Sequence, residues 1–334
     1  MDQFTAHLDR GWDLVQRGDT RGAEASARRA LEIEPNSPEA HNLLGYVAAM
    51  AGDGDEAIEA YQQAIALDDT YLEAMLNAAE VYIAPLGDFD QAIRLCDQAL
   101  DLAEIDEEVI DALLLKFDAL VGKGDVDEAS RVLKRIPPPP YESASQAFLV
   151  GRAHYEVGQH DRAMELVEET VKKDPEHAEA HYYAGLLRDA QGDARGATQA
   201  FLRSRELDVA LGLPPWSPTG EELGQMTSRA LEGLAAVLKQ YVAGADVFVT
   251  DAPGVELVAD GVDPRALVLL DGIVDDEGAA PQASRIFVYA INITRVAGTA
   301  DTVEAEIADA IEREISATFL EDPDAEEPPA KDLN

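Results

Sequence analysis

The chain has 334 residues, 66 of them acidic and 26 basic, for a formal net charge of −40. That balance excludes a nucleic-acid binder, whose phosphate contacts need clustered Lys and Arg, and an anionic membrane surface would repel the chain for the same reason. It favours protein partners that present a basic or apolar segment. The single cysteine, Cys96, permits no intrachain disulfide and reads as a small core hydrophobe in a helix. Met1-Asp2-Gln3-Phe4 starts without a basic stretch or an apolar run, and no stretch reaches about 18 apolar residues. A cytoplasmic location is therefore expected, and the excess of Arg over Lys with abundant Ala points to a GC-rich bacterial genome.

Small residues recur at a fixed interval. Gly11 and Gly45, Gly18-Asp19 and Gly52-Asp53, Ala23 and Ala57, and Ala30 and Ala64 are each 34 apart. Gly151 and Gly185, Gly158 and Gly192, and Ala163 and Ala197 repeat the interval downstream. Between them lie Gly87-Asp88 with Ala92 and Ala99, and Gly124-Asp125 with Ala129. Six units follow: about 4–37, 38–71, 72–106, 107–140, 144–177 and 178–211. In each, two helices of roughly a dozen residues are joined by a Gly-Asp turn, the small residues letting the helix axes approach. Pro35 and Pro175 stand where second helices must stop.

These marks resemble the tetratricopeptide family: Gly45 in a first helix, Ala57 and Ala64 in a second, Pro35 at the end. The resemblance covers about 60% of the chain and implies an all-α solenoid of about six repeats. Three departures stand out. Ala84-Pro85-Leu86 lengthens one turn by a residue. Phe117 replaces the first-helix glycine of unit four. Residues 137–140 are four prolines, read as a stiff extended break in the superhelix. The family's concave face comes from the second, fifth, ninth and twelfth positions of each unit. Carried over, the resemblance implies a protein-binding groove of Trp12, Asn42, Tyr46, Glu73, Glu80, Phe148, Arg152, Tyr155 and Tyr182. Leu8 and Asn42 do not reproduce the family's basic clamp, so an acidic C-terminal tail is not the expected ligand.

Composition shifts at residues 212–218, Pro-rich and read as a linker between a solenoid at 1–211 and a second domain at 219–320. That domain reads as α+β. A helix runs from about Gly220 to Tyr241, and short apolar runs at Val247–Val249, Ala266–Leu270 and Ile286–Ile293 read as strands. A last helix near Asp301 carries a stripe of Val303, Ile307, Ile311, Ile315 and Phe319, spaced by four. The acidic, Pro-rich residues 321–334 are expected to be disordered. The order of elements resembles the small bacterial zincin-like metallopeptidase domain, with Leu269-Leu270-Asp271-Gly272 and Arg285-Ile286-Phe287-Val288-Tyr289 among the matching stretches. In that family the last helix carries His-Glu-x-x-His, two imidazoles for zinc and a glutamate that activates water. Here only the glutamate remains, as Glu314; Arg313 and Ala317 stand at the ligand positions, and all six histidines lie at or before His181. The resemblance therefore implies a pseudo-enzyme with no catalytic residues, no metal and no cofactor.

Weaker constellations read as structural. Asp271, Asp275, Asp276 and Glu277 lack the spacing of a calcium loop and read as a solvated acidic loop. His177 and His181 have metal-ligand spacing but fall at a repeat junction. The expectation is a non-catalytic adaptor or regulator, a solenoid scaffold fused to a pseudo-metallopeptidase domain. The alternative is a divergent metal-dependent peptidase with unusual ligands.

Overall fold

In the computed structural model, which describes residues 2–274 and 281–320, helices are separated at each Gly-Asp pair as its chemistry requires. Gly52 and Gly124 both take φ +83°, where an L side chain is strained. The aspartate then caps the next helix: Asp19, Asp53, Asp88, Asp125 and Asp193 each accept a backbone N–H three residues on.

The helices so delimited are α1 (Gln3–Gln16), α2 (Thr20–Ile33), α3 (Pro38–Met50), α4 (Gly54–Leu67), α5 (Leu72–Ile83) and α6 (Phe89–Leu102). α7 (Asp106–Lys123), α8 (Val126–Leu133), α9 (Ala144–Glu156), α10 (His160–Lys173), α11 (Ala178–Ala190) and α12 (Ala194–Leu211) follow. Two compact units divide the chain at Glu169 and Thr170, so α11 and α12 share a unit with the C-terminal residues rather than with the earlier repeats.

Within the first unit, close packing depends on missing side chains. A Cβ on Gly45 would meet the Tyr61 ring at 2.7 Å. Where unit four carries Phe117 instead of glycine, the ring is fully buried among Ile110, Leu113, Leu120 and Val132. That same core includes Ala147, Val150 and Leu166, so packing is continuous across residues 137–140, which are non-helical. Cys96 is fully buried beside Ala92, and burial pushes its thiol up to about 12, so it is an inert core residue.

The second unit continues with α13 (Gly220–Gly233), α14 (Ala236–Lys239), β1 (Asp246–Thr250), α15 (Val255–Ala259), β2 (Val268–Asp271), β3 (Arg285–Tyr289), α16 (Ala290–Ala297) and α17 (Val303–Phe319). The strands form a sheet in the order β1-β3-β2, with β1 parallel and β2 antiparallel to β3. Val268, Leu270, Ile286 and Val288 pack against Leu223 of α13 and Ile307, Ile311 and Ile315 of α17. The stripe spaced by four thus faces the sheet.

Two expectations need correction. The helix from Gly220 ends at Gly233, and Leu234-Ala235 break it before α14. The apolar run Ile286–Ile293 is a strand only to Tyr289; Ala290–Ala297 is helical. Its first five residues are all buried, so no polar face marks the helical period. Asn292 instead donates its amide to the carbonyls of Pro264 (3.0 Å) and Ala266 (2.7 Å), and Thr294 donates to Ala290 (2.8 Å). Asp275, Asp276, Glu277 and the tail from residue 321 lie outside the described residues. Among the described residues no helix is long and apolar enough to cross a membrane.

Candidate functional site

First helices of successive repeats lay their fifth, ninth and twelfth positions side by side. In the first unit the ninth positions run Trp12, Tyr46, Glu80, Asp118, Arg152. Trp12 meets Tyr46 edge-on, ring centroids 5.3 Å apart, and both rings are half-buried. Glu73 and Glu80 are exposed on α5. Asn42 is buried and acts as a strut: its amide donates to the Tyr71 hydroxyl (3.2 Å) and to Glu73 (3.1 Å), and its oxygen accepts from Asn77 (3.1 Å). Arg152 donates to both oxygens of Asp118 at 3.0 Å and pairs with Glu156 at 3.4 Å. Tyr155 stacks on His160 at 5.3 Å. Phe148 is 2% exposed, so it is a core side chain and offers no surface to a partner.

A groove of about 560 Å³ lies across α5, α7 and α9. Leu72, Leu76, Leu114, Leu115 and Leu149 give it an apolar lining, and Glu73, Glu80, Asp111 and Asp118 give it four carboxylates, with Arg152 at one side. Burial pushes the Asp111 carboxyl above the usual carboxylate range, and Glu107 adds to the rise. It pushes Asp118 up as well, against the pull of Arg152. Asp111, Leu114 and Asp118 were missed in the sequence, although, in the phase that puts Phe117 at the glycine position, they stand at the second, fifth and ninth positions of unit four. Its missing glycine hid its phase, and counting back from the Gly124-Asp125 turn recovers them.

In the second unit, Tyr182 on α11 is occupied by the chain itself. Its hydroxyl donates to Asp263 (2.9 Å), and the Arg265 guanidinium lies over its ring, 4.5 Å from the centroid. Arg265 also donates to Asp208 (3.3 Å) and lies 3.9 Å from Glu179. Asp208, its side chain 8% exposed, holds Arg295 through its other oxygen at 2.8 Å. Arg205 of α12 donates to the Pro253 carbonyl. The last helix pair is thereby tied to the strands and loops that follow it.

Glu314 of α17 lines a cleft of about 270 Å³ with Arg265, Val268, Arg313 and Ala317. Burial pushes its carboxyl up, while the Leu270 backbone pulls it down. In the antiparallel register Leu270 lies opposite Ile286. The ladder bonds flanking it run from Tyr289 to Leu267 and from Ser284 to Asp271, so its N–H points to the open edge of β2. Glu314 thus caps that edge. His177 accepts the Ala180 N–H (3.2 Å) and His181 meets the Pro175 carbonyl (3.0 Å), which explains both without a metal. Asp271 pairs with Arg285 at 2.7 Å.

Residues 8–71 and 149–208 match a family model described as tetratricopeptide repeat, and residues 86–149 match a second model of the same description. Among solved structures, PilF of Pseudomonas aeruginosa is similar at 19% identity and TM-score 0.52, over 61% of this chain and 91% of that one. PilW, a type IV pilus biogenesis factor, is similar at 18% identity and TM-score 0.53, over 61% of this chain and 92% of that one. A chain of the APC/C Cut9–Hcn1 assembly is similar at 16% identity and TM-score 0.51, over 61% of this chain and 40% of that one. At these identities the likeness is one of fold.

Proposed function

We infer, from a chain that belongs to the tetratricopeptide-repeat proteins through residues 8–71 and 86–208, that it is a non-catalytic adaptor whose groove across α5, α7 and α9 holds a basic and apolar segment of a partner protein. Proteins built of these repeats are in general protein-interaction scaffolds. The observation that carries the chemistry is the pairing of a leucine floor with carboxylates raised by burial. Apolar side chains of a guest gain by covering the leucines, and a cation favours the ionised carboxylates that burial disfavours. Glu73, Glu80 and Arg152 stay within this reading, and Trp12, Tyr46 and Tyr155 extend the same face of the first unit.

The charge logic gives a pH dependence with a definite sign. Asp111 and Asp118 titrate above the usual carboxylate range because ionising them against leucines is unfavourable. In the free protein that penalty is absent at low pH, where both are neutral, and appears as pH rises through their raised values. A cationic guest is attracted only to the ionised forms. Affinity for a peptide of alternating leucine and arginine is therefore expected to be lowest at acid pH, to keep rising above the usual carboxylate range as the two raised groups ionise, and then to level off. Asp111→Asn is expected to weaken binding about tenfold at neutral pH and to flatten the profile. Fluorescence anisotropy of the full chain across pH checks this; a flat profile in the unmodified protein would remove the carboxylates from recognition.

A second reading concerns the C-terminal module. The contact of Glu314 with the edge of β2 supports a zincin-like, non-catalytic domain, with the last helix under an antiparallel edge strand. The residues there do not fit zinc. The cleft offers one carboxylate, no imidazole and two guanidiniums, whereas a catalytic site takes about three protein ligands with mostly nitrogen donors. Elemental analysis of protein purified without chelator is expected to find far less than one zinc per chain. One zinc per chain, lost in Glu314→Gln together with peptidase activity, would favour the divergent peptidase instead.

A further inference from the structure

A second pocket opens beside the main groove, where α3 meets α5. It encloses about 250 Å³ and is lined by Tyr46, Met50, Tyr61, Asn77, Glu80 and Pro85 among others. Tyr61 is buried at its base, and its hydroxyl is pushed up first by burial and then by the nearby Glu80. Glu80 is exposed, and among the described residues no lysine or arginine pairs with it. The pocket therefore joins an aromatic ring to an unneutralised carboxylate.

The same molecule shows what that combination takes. At the fifth position of the last repeat, Tyr182 carries the Arg265 guanidinium 4.5 Å from its ring centroid, with the carboxylates of Asp208 at 3.3 Å and Glu179 at 3.9 Å. One planar group stacks on the ring and pairs with acid at its rim. An ammonium can pair but has no plane to stack. Tyr46 and Glu80 present the same two elements with no cation supplied by the described residues.

We propose that the Tyr46–Glu80 pocket receives an arginine side chain of the partner segment, stacked on Tyr46 and paired with Glu80, as Tyr182 and Asp208 receive Arg265. The proposal rests on the groove reading above and specifies one anchor of the guest. The pocket and the leucine-lined groove share Asn77 and Glu80, so one segment reaches both: its arginine enters beside Tyr46, and its apolar residues lie along α5 and α7.

The test uses the full chain and two labelled peptides, one alternating leucine with arginine and one alternating leucine with lysine. The unmodified protein is expected to prefer the arginine peptide. Glu80→Gln and Tyr46→Leu are each expected to weaken the arginine peptide about tenfold and to narrow the preference over lysine. Tyr46→Trp, which keeps a ring, is expected to retain it, and matched melting temperatures exclude a folding effect. Asp111→Asn should weaken both peptides without narrowing the preference. The proposal is overturned if Glu80→Gln and Tyr46→Leu leave affinity and preference unchanged while the unmodified protein binds. If the unmodified protein binds neither peptide, the groove reading itself fails.

Discussion

Asp208→Ala is expected to destabilise the second unit by about 3–5 kcal/mol, the range for breaking a buried ion pair from one side. The aspartate is 8% exposed, and its two oxygens hold Arg265 and Arg295. Removing it leaves Arg265 and Arg295, both partly buried, without that carboxylate. Arg265 stays stacked on Tyr182 but loses its closest carboxylate, because Glu179 is 3.9 Å away and exposed. The loss is one of pairing rather than packing, so Asp208→Asn, nearly equal in volume, should recover only a small part of it. Urea unfolding followed by a probe in the C-terminal module, such as Trp216 fluorescence, reads the effect. A change below about 1 kcal/mol, the size of an exposed pair, would show that Asp208 is solvated in solution.

Phe117→Ala is the second large expectation, a loss of about 3–5 kcal/mol from deleting a fully buried ring. Phe117 is 0% exposed in a core drawn from α7, α8, α9 and Leu166. Phe117→Met keeps most of the volume and should cost about 1 kcal/mol. Phe117→Gly restores the residue other repeats carry at this position, yet it should be the worst of the three. It deletes the ring and adds about 1 kcal/mol of helix penalty. Circular dichroism during chemical unfolding ranks them. Phe117→Gly more stable than Phe117→Ala would mean that this helix crossing closes as tightly as that of Gly45 and Tyr61.

Phe117 also shows where the sequence could be read and where it could not. The repeats were legible because one turn needs both a positive φ and a capping carboxylate, and Gly-Asp supplies the two in adjacent residues. Unit four lost one mark, so its groove residues Asp111, Leu114 and Asp118 were passed over although their spacing was intact. Phe148 stood at a groove position and went into the core, because the position fixes a helix face only to within a side chain's reach. Asn42 carried no sign that it would brace α5 through Glu73 and Asn77. In the C-terminal module the strands were legible from short apolar runs. Ala290–Ala297 was not, because the first five residues of that helix are all buried and show no polar period. The Pro-rich residues 212–218 mark a change of composition, while the division between compact units falls at Glu169 and Thr170. Salt bridges such as Arg265 to Asp208 span distant residues, and no local pattern announces them.

The groove is the central claim, and amide hydrogen exchange of the full chain with and without the leucine–arginine peptide tests it most directly. Added protection is expected in α5, α7 and α9, around Leu76, Leu115 and Leu149, with little change at Tyr182, where Arg265 already sits. Protection confined to the C-terminal module, with α5 and α7 unchanged under saturating peptide, would contradict the account.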